Sequence, residues 1–345
     1  MPWDEGLVNS LVYDRPDPGE GRVVSYVRAV NEALAIALEQ DPGVFVLGQG
    51  VDDPTAMFGT TKDLQARFGP DRVFDTPLSE EAMMGVSTGA AMNGMRPVFM
   101  HNRPDFVLLA FNQLVTHASK FHFMDNGQTT VPLVVWAAIG RGWGSGAQHS
   151  QAIHGMLLGV PGLKIVMPST PYDAKGLLLS AILDNNPVCV FEHRWLMKKD
   201  GVVPEGAYRV PIGKGIYRRR GHHLTIAGAS HAIELAFQAA TLLASEGIEA
   251  EVIDLRTVKP IDEAILLESL KKTGRLMAID TAWMKGGLCA EIGCIAAEKG
   301  FADLKAPVVR IGLPDVPTPA GYTLEQFYYP DTARIVEAAR RLVRS

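Results

Sequence analysis

Apolar positions along this chain fall into two alternating rhythms. After Tyr26, Val27, Val30, Ala33, Leu34, Ala37 and Leu38 recur at helical spacing, until Asp41-Pro42-Gly43 breaks the run. The next residues, Val44-Phe45-Val46-Leu47-Gly48, form a short unbroken apolar stretch that predicts a buried strand. The alternation then predicts a small-residue helix over 80–93, a strand over 96–100, a helix near 108–120 and strands over 131–137 and 163–167. A helix over 172–183 and a strand over 188–192 complete this first series. Turn chemistry at Asp200-Gly201 and Pro204-Glu205-Gly206 interrupts it between 198 and 214. A second series follows, with strands over 223–229, 250–255, 276–280 and 307–311, helices over 231–246, 262–272 and 286–299, and a closing helix over 330–343.

Short apolar strands separated by helices predict parallel βαβ units. The expected fold is therefore α/β, with two domains, each a mostly parallel sheet covered by helices. Residues 1–21, rich in Pro, Gly, Asp and Glu, read as an N-terminal arm; 22–205 form the first domain and 206–345 the second. Length agrees, since 345 residues suffice for about two domains of about 150 residues.

Composition excludes several classes. With 33 Lys+Arg against 38 Asp+Glu the net charge is −5, and the basic runs Lys198-Lys199 and Arg218-Arg219-Arg220 are short, so no nucleic-acid footprint is visible. They read as solvated loops. The longest apolar stretch, 131–139, is far below the roughly 20 residues that cross a bilayer. The acidic start at Asp4-Glu5 is unlike a secretory signal and predicts a cytoplasmic protein without membrane partners. The odd count of 3 cysteines, Cys189, Cys289 and Cys294, argues against a disulfide framework and reads as core thiols.

Familiar catalytic motifs fail. Gly48-Gln49-Gly50 follows a strand, but Asp53-Pro54 stands where a dinucleotide fingerprint needs its last glycine and helix start. The Gly140–Gly146 stretch has the wrong spacing too, and reads as a flexible backbone closing over another ligand. Asp75-Thr76-Pro77-Leu78-Ser79-Glu80-Glu81 has two readings. Ser79 caps a helix and both acids favour its positive end, or a carboxylate stands beside apolar walls where it shares a proton with a ring nitrogen. His149, ending the glycine-rich loop, is placed for chemistry.

Taken together, several stretches resemble one family. These are Asp75-Thr76-Pro77-Leu78-Ser79-Glu80, Gly89-Ala90-Ala91-Met92-Asn93-Gly94-Met95-Arg96-Pro97, Gln148-His149-Ser150-Gln151, Pro161-Gly162-Leu163-Lys164, Asp173-Ala174-Lys175-Gly176-Leu177, Asp184-Asn185-Asn186-Pro187 and 254–262. In this order they are similar to the beta subunit of the thiamine-diphosphate-dependent decarboxylating component of 2-oxo acid dehydrogenase complexes, a branch of the transketolase-like group that includes pyruvate dehydrogenase. The resemblance implies a pyrimidine-binding domain followed by a transketolase C-terminal domain. It implies that Glu80 hydrogen-bonds the cofactor's aminopyrimidine and promotes its imino tautomer, that Leu78 and Phe106 line the pyrimidine pocket, and that His149 handles substrate or protons. It further implies a structural potassium ion at Leu133, Ala181, Ile182, Asp184 and Asn186.

The family binds diphosphate and magnesium through Gly-Asp-Gly and a later Asn, and this chain contains no Gly-Asp-Gly. The resemblance therefore implies half a site, completed by an alpha subunit that holds the magnesium, in an α2β2 assembly. The implied reaction is decarboxylation of a 2-oxo acid and transfer of the acyl or aldehyde unit to a lipoyl or similar carrier. The alternatives are a split transketolase-like enzyme moving a two-carbon ketol unit from a sugar phosphate, and a non-catalytic scaffold. Met100-His101-Asn102-Arg103-Pro104-Asp105 departs from the family pattern, and Arg141 and Trp143 are added before His149. Arg103 and Arg141 read either as surface charges or as forks for a carboxylate or phosphate on the donor.

Overall fold

The computed structural model describes residues 21–53, 55, 57–140, 142 and 144–345. The N-terminal arm expected over 1–21 lies, but for its last residue, outside them, as do Arg141 and Trp143. The chain divides into two units: described residues up to Ile139 with Val160–Ile212, and Gly140–Gly159 with Gly213–Ser345.

The first unit contains strands β1 (Arg22–Ser25), β2 (Val44–Gly48), β3 (Val73–Asp75), β4 (Arg96–His101), β5 (Val134–Ile139), β6 (Lys164–Val166), β7 (Val188–His193) and β8 (Asp200–Val203). Its central strands lie in the order β6-β7-β5-β4-β2-β3, and each neighbouring pair is parallel. That is why they read as unbroken apolar runs: β2, β4, β5 and β7 are buried at every position. One face packs on helices Tyr26–Gln40 and Pro171–Leu183. The first starts where the Ser25 hydroxyl accepts from Arg28 N–H at 3.2 Å, and the second where Thr170 caps ahead of Pro171. Burying a side chain such as Leu34, fully enclosed here, contributes about 1.5–3 kcal/mol.

Two expectations fail locally. The helix expected near 108–120 is instead a 3₁₀ helix over Pro104–Ala110 and a π-helical stretch over Asn112–Ala118, where Ser119 N–H reaches back five residues to the Leu114 carbonyl at 3.1 Å. Over seven residues the apolar spacing of these helix types is too similar to separate in a sequence, and such segments cluster at functional sites. The turn region 198–214 contains strand β8, which pairs antiparallel with β1, Arg22 facing Val203.

The second unit has strands β9 (Ile216–Arg219), β10 (Leu224–Gly228), β11 (Ala250–Asp254), β12 (Thr257–Lys259), β13 (Leu276–Trp283) and β14 (Val309–Leu313). Five form a sheet in the order β14-β13-β10-β11-β9, parallel except for β9, and helices His231–Ala244 and Thr332–Arg344 cover one face. The arginine run is therefore not a solvated loop. Arg218 and Arg219 belong to edge strand β9 and pair with Asp254 at 2.9 Å and Glu249 at 2.7 Å. Cys189 and Cys289 are core thiols as expected, but Cys294, five residues on in the Leu288–Lys299 helix, points out. Among the described residues no helix is long and apolar enough to cross a membrane.

Candidate active site

Parallel sheets gather ligands at the carboxyl ends of their strands, and in the first unit the ends of β2, β3 and β4 converge on one carboxylate. Gly48 closes β2 with φ 147°, and a Cβ there would stand 2.1 Å from the Met100 carbonyl oxygen, so only glycine permits this approach of β2 to β4. The next turn is pinned on both sides. Gly50 N–H donates to Asp75 Oδ1 at the end of β3, 2.6 Å, and Asn102 Nδ2, just past β4, donates to the Gln49 carbonyl, 3.1 Å. Held this way, the Gln49 side-chain amide donates to Glu80 Oε1 at 3.3 Å.

Glu80 opens the Glu80–Met92 helix and is 8% exposed. Ser79 makes no side-chain cap hydrogen bond, so the capping reading fails; Glu80 and Glu81 in the first turn complement the helix dipole instead. Glu81 is tied to Gln113 at 3.0 Å. Leu78, two residues earlier in the chain, is 82% exposed, an unusual position for a leucine. Phe106 is half-buried in the 3₁₀ helix after β4.

Arg103 extends the same chain of contacts. Its Nη1 donates to the Asn102 carbonyl at 2.8 Å and its guanidinium lies 5.8 Å from the centre of the Phe58 ring. Phe58 sits in a tight turn with φ 59°, a left-handed conformation costly for a bulky residue. His101, just before, is buried against Phe99, and burial pushes its pKa down to about 3, so it is neutral at physiological pH.

His149 belongs to the other unit, where it is exposed at the end of the short 3₁₀ turn Gly146–Gln148. Five residues on, buried His154 Nε2 meets Asp280 Oδ2 on β13 at 2.8 Å and anchors this segment. The residues expected around potassium gather at the other end of the first unit's sheet. Arg96 Nη1 donates to the carbonyls of Ile182 and Asp184 at 2.9 and 3.1 Å, and Lys164 Nζ meets Asp184 Oδ2 at 2.5 Å. Leu133 O accepts from Val188 N–H, and Asn186 donates to Asp184 Oδ1. Among the described residues no group of three or more His, Cys, Asp or Glu is arranged to hold a metal ion.

The sequence marks none of Gln49, Asn102 and Phe58 as a site residue; the signal for Gln49 is a polar residue between two glycines at a strand's carboxyl end.

Residues 22–199 match the family described as transketolase, pyrimidine binding domain, and 213–335 the transketolase C-terminal domain. Over 333 residues the chain is 40% identical to the acetoin:2,6-dichlorophenolindophenol oxidoreductase subunit beta of Cupriavidus necator, covering 94% of this chain and 98% of that one. It is also 40% identical to the 2-oxoisovalerate dehydrogenase subunit beta of Bacillus subtilis, covering 93% and 98%. A solved structure titled split gene transketolase, inactive beta4 tetramer, shares the fold with TM-score 0.76 at 22% identity, covering 93% and 98%.

Proposed function

We propose, from the premise that the chain belongs to the beta-subunit family of thiamine-diphosphate-dependent 2-oxo acid dehydrogenases, that it is the beta half of an enzyme that decarboxylates a 2-oxo acid. The observation that carries this reading is the buried Glu80 carboxylate, oriented by Gln49 at the meeting of three strand ends, with an exposed Leu78 two residues before it in the chain. This donor set fits an aminopyrimidine: a carboxylate oxygen for a ring nitrogen, with Leu78 and Phe106 as apolar walls that exclude water and strengthen the contact. Thiamine diphosphate, when bound, supplies the electron sink for decarboxylation.

Glu80 holds the proton it shares with the ring nitrogen, Gln49 fixes the carboxylate's orientation, and His149 moves protons on the substrate side. The absence of Gly-Asp-Gly leaves the diphosphate and its magnesium to an alpha subunit, and the exposed Leu78 suits a surface covered by another chain. An α2β2 assembly and a lipoyl or similar acyl acceptor belong to the same proposal. So does a potassium ion at Leu133, Ala181, Ile182, Asp184 and Asn186, whose hard oxygen donors would be shared with Arg96 and Lys164.

The test is co-purification with a chain carrying Gly-Asp-Gly, followed by assay of 2-oxo acids with thiamine diphosphate and magnesium. Turnover that Glu80→Gln lowers by about 10²–10⁴-fold supports the reading. Turnover of ketose phosphates with no 2-oxo acid accepted would favour the transketolase-like alternative, and full activity in Glu80→Gln would favour a scaffold.

A further inference from the structure

We infer that Arg103 recognises a permanent negative charge on the donor, distinct from the carboxylate lost as carbon dioxide. The substrate class is then a 2-oxo acid bearing a second anionic group, carboxylate or phosphate. This rests on the decarboxylase reading and names the substrate of that same site.

Position comes first. Glu80, Gln49, Asn102 and Arg103 are linked in sequence by contacts of 3.3, 3.1 and 2.8 Å, so the guanidinium is fixed at the edge of the same site as the proposed cofactor carboxylate. The Phe58 ring at 5.8 Å confines it from another side.

Charge comes second. Among the described residues no carboxylate lies within the 4.0 Å of an ion pair with Arg103, although Arg22, Arg28, Arg67, Arg96 and Arg218 each have one. Arg103 is half-buried, and its Nε is buried with no hydrogen-bond partner. Desolvation pulls its pKa below the ordinary arginine range, opposed only by the more distant Asp105 carboxylate. Keeping a partly desolvated cation with an unused N–H is costly, and a bound anion offsets that cost with a charge-assisted hydrogen bond.

The chemistry then separates two possible anions. A guanidinium clamped on the departing carboxylate would favour the ground state over a transition state in which that charge is dispersing, and so would slow the reaction. A charge retained through the reaction is bound equally well before and during it, which lowers KM and confers specificity without that penalty. Arg103 is suited to the second role.

Matched donors test this with the holoenzyme: 2-oxovalerate, 2-oxoglutarate, and the analogue with a terminal phosphonate in place of the second carboxylate. At least one anionic donor is expected to exceed 2-oxovalerate about tenfold or more in kcat/KM, and its identity distinguishes carboxylate from phosphate. Arg103→Met should bring that ratio close to one through a higher KM for the anionic donor, with Arg103→Lys intermediate. Equal use of neutral and anionic donors, or an equal loss on both in Arg103→Met, overturns the inference while leaving the decarboxylase reading intact. Thermal shifts of the chain in inorganic phosphate and in glutarate give a readout independent of turnover. Either anion should raise the melting temperature of the wild type and not of Arg103→Met. If no 2-oxo acid turns over, the decarboxylase reading fails, and this shift alone decides whether Arg103 binds an anion.

Discussion

Glu192, on β7, is fully enclosed, and neither carboxyl oxygen has a hydrogen-bond partner. Register sets it beside Ala138 of β5 on the face that carries Trp136. The Trp136 indole opposes the effect of burial weakly, without reaching hydrogen-bonding geometry, and desolvation raises the carboxyl pKa from 4.5 to about 8. The folded protein thus holds a proton that the unfolded chain releases above pH about 4.5. The contribution to stability is fully present below that value, falls by about 1.4 kcal/mol per pH unit as pH rises, and levels off above pH about 8. The whole span is about 5 kcal/mol, of which about 3 is lost by pH 7. Glu192→Gln removes the titration while keeping the shape, and whatever its amide costs for lack of partners is independent of pH. Urea unfolding of both proteins from pH 5 to 9 should show the variant gaining on the wild type by about 1.4 kcal/mol per unit up to pH about 8, then no further. A difference that stays constant across this range would refute the reasoning, because it would mean that Glu192 titrates alike in both states.

Other expectations follow from the same geometry. Gln49→Glu places a second carboxylate against Glu80, and the acid limb of the pH–rate profile should move to higher pH by about one unit or more; a uniform loss at every pH would mark Gln49 as merely structural. Gly48→Ala forces a Cβ to 2.1 Å from the Met100 carbonyl at φ 147°, and should cost about 3 kcal/mol or more by chemical denaturation. Arg96→Met strips the Ile182 and Asp184 carbonyls of their donor and leaves buried Asp41 without its partner 3.6 Å away, a loss of about 3–5 kcal/mol in the same assay.

What could be read from the sequence depended on whether the signal was local. The parallel strands were legible because burial on both faces writes continuous apolar runs such as Val44–Gly48. Strand β1 escaped because Arg22–Ser25 is only four residues long and never fully buried. The Tyr322–Tyr328 helix escaped because Tyr322 and Phe327, at 76% and 83% exposed, do not mark a buried face. Glu80 could be suspected from its place at a helix start. Its partner Gln49 lies 31 residues earlier, and only the register of β2, β3 and β4 brings the two together. Arg103 was legible as a departure from a pattern, but its lack of an ion pair among the described residues depends on three-dimensional surroundings that no spacing encodes.

The division of the chain at Gly140 and Gly159 has a genetic consequence. The chain runs into the second unit, back into the first and out again, so no single junction in a coding sequence separates two complete bodies. A fusion or truncation at residue 213 would strand 140–159 with the wrong partner, taking His149 from the β13 aspartate that anchors its segment. His149 and Glu80 are therefore inherited on different scaffolds. Substitutions at Asp280 act on the His149 loop through its own unit.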